Sequence, residues 1–253
     1  MSSPYLLSNG EPMSDANIRI PTYVNGLDQR MQGGIPKGHI VLLAGVSGSM
    51  KSSLGFSILY NAVRNGQASG IYVTMEQGKA SLSGHMANMG MDIEDPKVRS
   101  NIAIIDLADL RVQLDARGIE TEVDWMGQLI KQLTNYRESI GFEVLVFDSL
   151  GAFFTLTKMT NPRDEIFRLF EAVRRLGLTA FFICEMMGEG KNQFGEFGIE
   201  DYLSDGVIHL TMEREGDYVG RKLSIVKMRH TDHVLGYHEW SWDSSEQKFS
   251  IGQ

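Results

Sequence analysis

Eight residues at positions 45–52, Gly-Val-Ser-Gly-Ser-Met-Lys-Ser, constrain this chain more than any other feature of its sequence. They directly follow an apolar run at 39–44 and lead into a segment of helical period at 52–65. A glycine-rich turn between a buried strand and a helix presents backbone N–H groups and a helix N-terminus, which together favour a bound phosphate. The order strand, turn and helix therefore predicts a phosphate-binding loop in an α/β fold.

The positions of this loop have separate predicted roles with ATP and Mg²⁺ as the ligands. Gly45 and Gly48 would permit the tight turn, Lys51 would reach the β- and γ-phosphates, and Ser52 would bind Mg²⁺. Met50 stands where the pattern Gly-x-x-x-x-Gly-Lys-Ser has its second glycine, and we expect it to be tolerated if that position is already helical and its side chain points away. The rest of the predicted phosphate contact consists of Val46, Ser47, Ser49 and Ser53. The alternative is a turn that contains Gly, Ser and Lys by chance.

Two carboxylates at strand ends are the candidates for the remaining chemistry. Asp148 directly follows the apolar run at 144–147, and a strand-end carboxylate is the usual second half of a magnesium site beside a phosphate loop. Glu76 follows the apolar run at 70–75, where a carboxylate is well placed to act as general base or to orient water. The alternatives are an aspartate that caps a turn and a solvated loop glutamate.

Lys227 and Arg229 lie on one face at the end of an alternating strand at 221–228. Two explanations stay open: ordinary solvated charge, or cations that reach the γ-phosphate bound by a neighbouring subunit. His230 and His233 are close in sequence, but no carboxylate or cysteine spacing completes a zinc site.

Short apolar runs alternate with segments of helical period, which is the pattern of a parallel sheet covered by helices. We predict buried strands at 39–44, 70–75, 102–106, 144–147 and 179–184, and helices at 52–65, 80–89, 125–140 and 163–176. Four antiparallel strands should follow at 206–212, 221–228, 234–242 and 248–251. One domain at 18–253 would follow a flexible tail at 1–17, and the glycine-rich stretch 188–197 is a candidate mobile loop.

Composition narrows the function classes. The formal charge of -8 argues against a surface that holds nucleic acid by bulk electrostatics. The one cysteine, Cys184, has no partner for an internal disulfide, and eighteen apolar residues nowhere run together. We therefore expect no membrane span and a cytoplasmic location.

Taken together, these segments resemble the KaiC-like branch of the RecA superfamily of P-loop NTPases from about residue 20 to 251. The resemblance rests on an ordered series: Gly26-Leu-Asp28, Gly33-Gly-Ile-Pro-Lys-Gly38, the loop at 45–52, Tyr72-Val-Thr-Met-Glu76-Gln77, Phe147-Asp-Ser149, Cys184-Glu185, Tyr202-Leu-Ser-Asp205-Gly-Val-Ile208 and Lys227-Met-Arg229. It implies a RecA-like fold and ATP bound between subunits of a homohexameric ring. One subunit would supply residues 45–52, Glu76 and Asp148, and the next would supply Lys227, Met228 and Arg229. Asn88 and His233 fall where the family contacts the base or sugar.

The departures from the family pattern shape the functional hypothesis. The second of two successive catalytic glutamates is replaced by Gln77, so we expect slow hydrolysis with Glu76 as the base. Asp201-Tyr202 stand where the clock protein of the family carries its phosphorylated Ser-Thr pair, which makes autokinase activity doubtful. The leading hypothesis is an oligomeric, slowly hydrolysing ATPase that acts as a regulatory switch on an unidentified protein partner. The alternatives are a DNA-handling recombination or motor accessory and a nucleotide-sensing module with negligible catalysis.

Overall fold

The computed structural model describes residues 18–116, 123–157, 160–186 and 193–252. The predicted tail at 1–17 and the first half of the predicted loop at 188–197, residues 188–192, lie outside these residues. The helices are α1 Lys51–Arg64, α2 Lys79–Asn88, α3 Leu107–Ala116, α4 Trp125–Ile140, α5 Leu150–Thr157, α6 Pro162–Arg175 and α7 Glu200–Leu203. The strands are β1 Arg19–Ile20, β2 Ile35–Pro36, β3 Ile40–Gly45, β4 Gly70–Thr74, β5 Ile102–Asp106, β6 Val144–Asp148, β7 Thr179–Glu185, β8 Gly206–Glu215, β9 Tyr218–Met228, β10 His238–Asp243 and β11 Lys248–Ile251.

One large sheet organises the described residues, with the strand order β11-β10-β9-β8-β3-β7-β6-β4-β5. The six strands from β8 to β5 in this order are parallel, and β9, β10 and β11 continue the sheet in antiparallel pairing. Every residue of β3, β4 and β6 is buried, as expected for parallel strands with helices on both faces. The predicted class, a mostly parallel sheet flanked by helices with antiparallel C-terminal strands, is confirmed.

Two apolar cores lie on the two faces of the sheet. Val41 and Leu43 of β3 pack with α1 in one core. Ile40 and Leu42, which alternate with them along the strand, pack with α4, α5 and α6 in the other core. The second core contains an aromatic group in which Phe182 contacts both Phe147 and Phe170. Because successive strand residues point to opposite faces, an apolar run of this kind can serve both cores at once.

Most predicted elements lie within three residues of their observed bounds, and three differences have local causes. The strand predicted at 234–242 begins only at His238, because Gly236 has φ +118° and the side chains of Val234 and Leu235 are exposed. The helices α3 and α5 were not predicted. Helix α3 follows β5 directly, and a single residue, Ser149, separates α5 from β6, so the sequence gives no turn signal between strand and helix.

The strand ends at one edge of the sheet position the candidate site. Parallel pairing sets Gly45 of β3 opposite Glu185 of β7, and Thr74 of β4 opposite Asp148 of β6. Ligands of open α/β sheets bind outside the carboxyl ends of the strands, which is where these residues meet. No helix among the described residues is long and apolar enough to cross a membrane.

Candidate nucleotide site

The loop between β3 and α1 is closed by its own hydrogen bonds. The carbonyl oxygen of Val46 accepts from the amide of Ser49 at 3.3 Å, from the hydroxyl of Ser49 at 2.7 Å and from Nζ of Lys51 at 3.0 Å. The side chains of Ser49 and Ser53 are buried, while Ser47 is exposed. Since α1 begins at Lys51, its first N–H groups have no acceptor within the helix and are directed toward the loop.

Glycine is needed at the two positions of the loop for different physical reasons. Gly48 has φ +81°, a conformation that L side chains rarely adopt, so it makes the turn. Gly45 is needed for close approach instead, because a Cβ there would lie 2.0 Å from the carbonyl oxygen of Leu210 on β8. The prediction that Gly45 serves the turn is therefore corrected.

Met50 was expected to be tolerated if its position is helical, and the structure does not meet that condition. It precedes α1 and has φ +69° and ψ +31°, the left-handed conformation. A non-glycine residue pays a steric cost there, since Cβ approaches the carbonyl oxygen. The left-handed conformation therefore explains why the pattern has glycine at this position, where this chain has methionine. The half-buried Met50 side chain packs against the core on the α1 face.

Lys51 is a buried cation surrounded by acids. It is 6% exposed, its Nζ lies 4.0 Å from Oε1 of Glu185, and burial lowers its pKa. The negative charges of Glu185, Asp148 and Glu76 oppose that shift and favour the ammonium form. The structure therefore brings Lys51 together with both predicted carboxylates and with Glu185.

Asp148 lies in a hydrogen-bonded group with Ser52 and Tyr72. Oδ2 of Asp148 accepts from the Tyr72 hydroxyl at 2.5 Å. The Ser52 hydroxyl lies close enough to both side chains to lower the pKa of each. Burial raises the pKa of Asp148, and the hydrogen bonds from Tyr72 and Ser52 oppose that rise. A hydroxyl and a carboxylate in contact are hard oxygen ligands that suit Mg²⁺, which commonly needs one or two protein ligands beside phosphates. Among the described residues no group of three or more His, Cys, Asp or Glu could hold a metal ion.

Glu76 is held at the same edge of the sheet by a serine. Its Oε1 accepts from the hydroxyl of Ser149, the residue directly after Asp148. The neighbouring Gln77 behaves differently, since its Nε2 donates to Ser81 of α2 at 2.8 Å. Of the two side chains, only Glu76 carries a charge, and that charge raises the pKa of both Lys51 and Asp148.

Several of the site's polar residues were given no role in the sequence analysis. Tyr72 and Ser149 were noted only as letters of a motif, and Arg221 was not considered. Nε of Arg221, on β9, donates to the carbonyl oxygen of Gly48 in the phosphate loop at 3.3 Å. This contact depends on the pairing of Arg221 with Met212 in a hairpin more than 160 residues after the loop, so no local signal could have revealed it.

Lys227 and Arg229 lie away from the loop of their own chain. Lys227 pairs with Val207, which pairs with Leu42, so it stands about 10 Å before the end of β3 along the strand direction. Nζ of Lys227 donates to the carbonyl oxygens of Asp201 and Ser204, both at 2.8 Å. Arg229 donates to Oδ1 of Asp205 at 3.0 Å and to the carbonyl oxygen of Tyr202 at 3.3 Å.

The remaining predicted contacts are Asn88, Met228 and His233. Asn88 is exposed at the end of α2. Met228 is 4% exposed, and its side chain packs against Gly206, so only its backbone could contact a nucleotide. His233 is half-buried, and its Nδ1 is buried with no hydrogen-bond partner among the described residues.

The chain is similar to known proteins along most of its length. The family model described as the KaiC ATPase matches residues 20–245. A UPF0273 protein of Pyrobaculum aerophilum is 33% identical over 223 residues, which are 87% of this chain and 78% of that protein. The circadian clock oscillator protein KaiC of Parasynechococcus marenigrum is 27% identical over 86% of this chain, and the match spans only 42% of the clock protein.

A solved structure shares the fold. The KaiC-like protein of Pyrococcus horikoshii superposes with a TM-score of 0.78 over 93% of this chain and 99% of that protein, at 22% identity. The family match extends over most of the described residues, from β1 to the turn that follows β10. This chain belongs to the KaiC ATPase family.

Proposed function

We propose that this chain binds ATP with Mg²⁺ at residues 45–53, hydrolyses it slowly, and uses the nucleotide state to control its assembly and its contact with a regulatory partner protein. The observation that carries the proposal is the buried ammonium of Lys51, which lies with Ser52, Asp148 and Glu76 at the carboxyl ends of the parallel strands. A buried cation beside a glycine-rich turn and a helix N-terminus is suited to a polyphosphate.

Each residue at this edge would have a distinct task. The loop amides and Lys51 would bind the β- and γ-phosphates, and Ser52 and Asp148 would hold Mg²⁺. The cation, when bound, neutralises charge that develops on the phosphate oxygens. Glu76 would accept a proton from the attacking water, and the hydrogen bond from Ser149 orients its carboxylate.

Slow turnover follows from the neighbour of Glu76. An amide at Gln77 cannot take a proton, and its side chain is engaged by Ser81 rather than by the acids around Lys51. One carboxylate would therefore do the work that two do elsewhere in the family. A long-lived nucleotide state suits a switch better than a motor.

The cations at the far end of β9 support an assembled form. Lys227 and Arg229 are held by main-chain and carboxylate oxygens of residues 201–205, on the opposite edge of the sheet from the phosphate loop. A head-to-tail contact would place this edge of one subunit against the loop of the next, and such a contact forms a ring when its rotation closes. We propose a ring of this kind, a hexamer by the family resemblance.

Phosphate release by the wild type and by Glu76→Gln tests the catalytic part. The amide keeps an oxygen for the Ser149 hydroxyl but cannot accept a proton, so we expect release to fall about a hundredfold with ATP affinity retained. Glu138→Gln, an exposed change of the same charge on α4, is the matched control. Equal nonzero rates in wild type and Glu76→Gln would remove Glu76 from the mechanism.

Size-exclusion chromatography with light scattering, with and without ATP and Mg²⁺, tests the assembly part. We expect a larger particle when nucleotide and cation are present. A monomer in both conditions would contradict the roles given to Lys227 and Arg229.

Tight ATP binding without phosphate release would instead indicate a nucleotide-sensing module.

A further inference from the structure

The hydroxyl of Tyr72 is buried deep in the sheet beside the candidate magnesium ligand. Tyr72 is in the middle of β4 and is fully buried, with its ring against Phe56 of α1. Parallel pairing sets Tyr72 opposite Val146 and Thr74 opposite Asp148, so Tyr72 and Asp148 are diagonal neighbours on one face. That face is the one covered by α1, which carries Ser52 in its first turn.

The apolar surroundings do not require a hydroxyl at this position. The ring of Tyr72 packs among buried residues such as Phe56, and phenylalanine would fill the same space. A buried hydroxyl without a partner costs free energy, and here its partner is Oδ2 of Asp148 at 2.5 Å. A hydrogen bond to an ionised group is stronger than one between neutral groups. The contact therefore restrains the carboxylate more firmly than packing alone.

We propose that Tyr72 is a positioning residue for the magnesium site: its hydroxyl holds Oδ2 of Asp148 so that the carboxylate presents a fixed edge beside the Ser52 hydroxyl. The inference rests on the proposed function, because the cation is the one bound with ATP. Outer groups that hydrogen-bond a metal ligand set its orientation, and their loss typically weakens metal affinity by about ten- to a hundredfold.

Tyr72→Phe tests this inference through binding rather than turnover. The affinity for a non-hydrolysable ATP analogue is measured by calorimetry over a series of Mg²⁺ concentrations, starting in excess chelator. We expect affinity in chelator to match the wild type within about twofold, while the Mg²⁺ concentration for half-maximal enhancement rises about tenfold. A structural role for Tyr72 would lower affinity equally at all Mg²⁺ concentrations and would overturn the inference.

Tyr60→Phe is the matched control. Tyr60 is also buried and its ring also contacts Phe56, with ring centroids 6.4 Å apart, but it lies two helical turns beyond Ser52. Its loss of a hydroxyl should leave the Mg²⁺ dependence unchanged. A shift in Tyr60→Phe as large as that in Tyr72→Phe would show that packing around Phe56 is responsible.

A double-substitution cycle with Asp148→Asn tests whether Tyr72 acts through Asp148. If it does, Tyr72→Phe should cause no further change in Mg²⁺ dependence once Asp148 is replaced. Additive shifts would overturn the inference. Wild-type protein that fails to bind the analogue would contradict the proposed function and this inference together, whereas binding with the same Mg²⁺ dependence in Tyr72→Phe would contradict this inference alone.

Discussion

The two ends of β9 carry cations in different surroundings. At one end Arg221 contacts the phosphate loop of its own chain, where buried Lys51 faces Glu185, Asp148 and Glu76. At the other end Lys227 and Arg229 are bound by oxygens of residues 201–205, at the edge where β3 begins. The two groups of cations therefore lie toward opposite ends of the strands of one sheet. In the proposed intersubunit site they would come from two subunits arranged head to tail.

The sharpest test of this comparison mixes two inactive subunits. Arg229→Ala should lower phosphate release about a thousandfold, as expected when a cation that stabilises transition-state charge is removed. Lys51→Ala should also be inactive. If Arg229 acts on the neighbouring site, a mixture of the two variants should regain activity at about a quarter of its sites, those that join an intact loop to an intact Arg229.

Arg214→Ala is the control, because Arg214 is an exposed arginine whose Nε donates to Gly216 in the β8–β9 hairpin. It should retain wild-type activity. No recovery in the mixture, with both variants still assembling, would show that Arg229 does not act across subunits.

ATP affinity, measured without turnover, is the second way to distinguish the roles of the residues at the two ends of β9. Lys51→Ala should weaken ATP by about a hundredfold, since a buried charge that meets phosphate is worth roughly 3 kcal/mol. Arg229→Ala should change ATP affinity far less in dilute, unassembled protein. Calorimetry measures both affinities, and thermal unfolding checks that each variant is folded. Equal losses in the two variants would contradict the separation of roles.

The smallest expected effect is at Met50. Met50→Gly relieves the left-handed strain, worth about 1 kcal/mol, but gives up side-chain packing and adds freedom to the unfolded chain. We therefore expect a free energy of unfolding within about 1 kcal/mol of wild type and an ATP affinity within about threefold. Denaturant unfolding and nucleotide titration measure these quantities.

Gln247→Gly provides a matched comparison for Met50→Gly. Gln247 has φ +51° in the exposed turn between β10 and β11, away from the loop. It should change stability by a similar small amount and leave nucleotide binding unaltered. A large loss of affinity in Met50→Gly alone would show that the methionine side chain shapes the phosphate loop.

Much of the fold was predictable because its signals are local. The buried strands are short apolar runs in the sequence, and the glycines that follow four of the predicted helices, Gly66, Gly90, Gly141 and Gly177, all have positive φ. The strand at 234–242 was predicted too long, and α3 and α5 were missed, because exposed apolar residues and abrupt changes of period give no clear local pattern. The sequence left the backbone conformation of Met50 open for the same reason, since that conformation depends on how β3 leads into α1.

The sequence by itself determined the class of the fold, the phosphate loop and the two candidate carboxylates Asp148 and Glu76, because each lies where a short apolar run ends. Only the tertiary structure decided how they meet. The register of β4 against β6 places Tyr72 beside Asp148. The pairing of β8 with β9 places Arg221 beside the phosphate loop and Lys227 away from it. The physical reason is that pairing between strands joins residues far apart in sequence, and a one-residue change of register would turn each side chain to the other face.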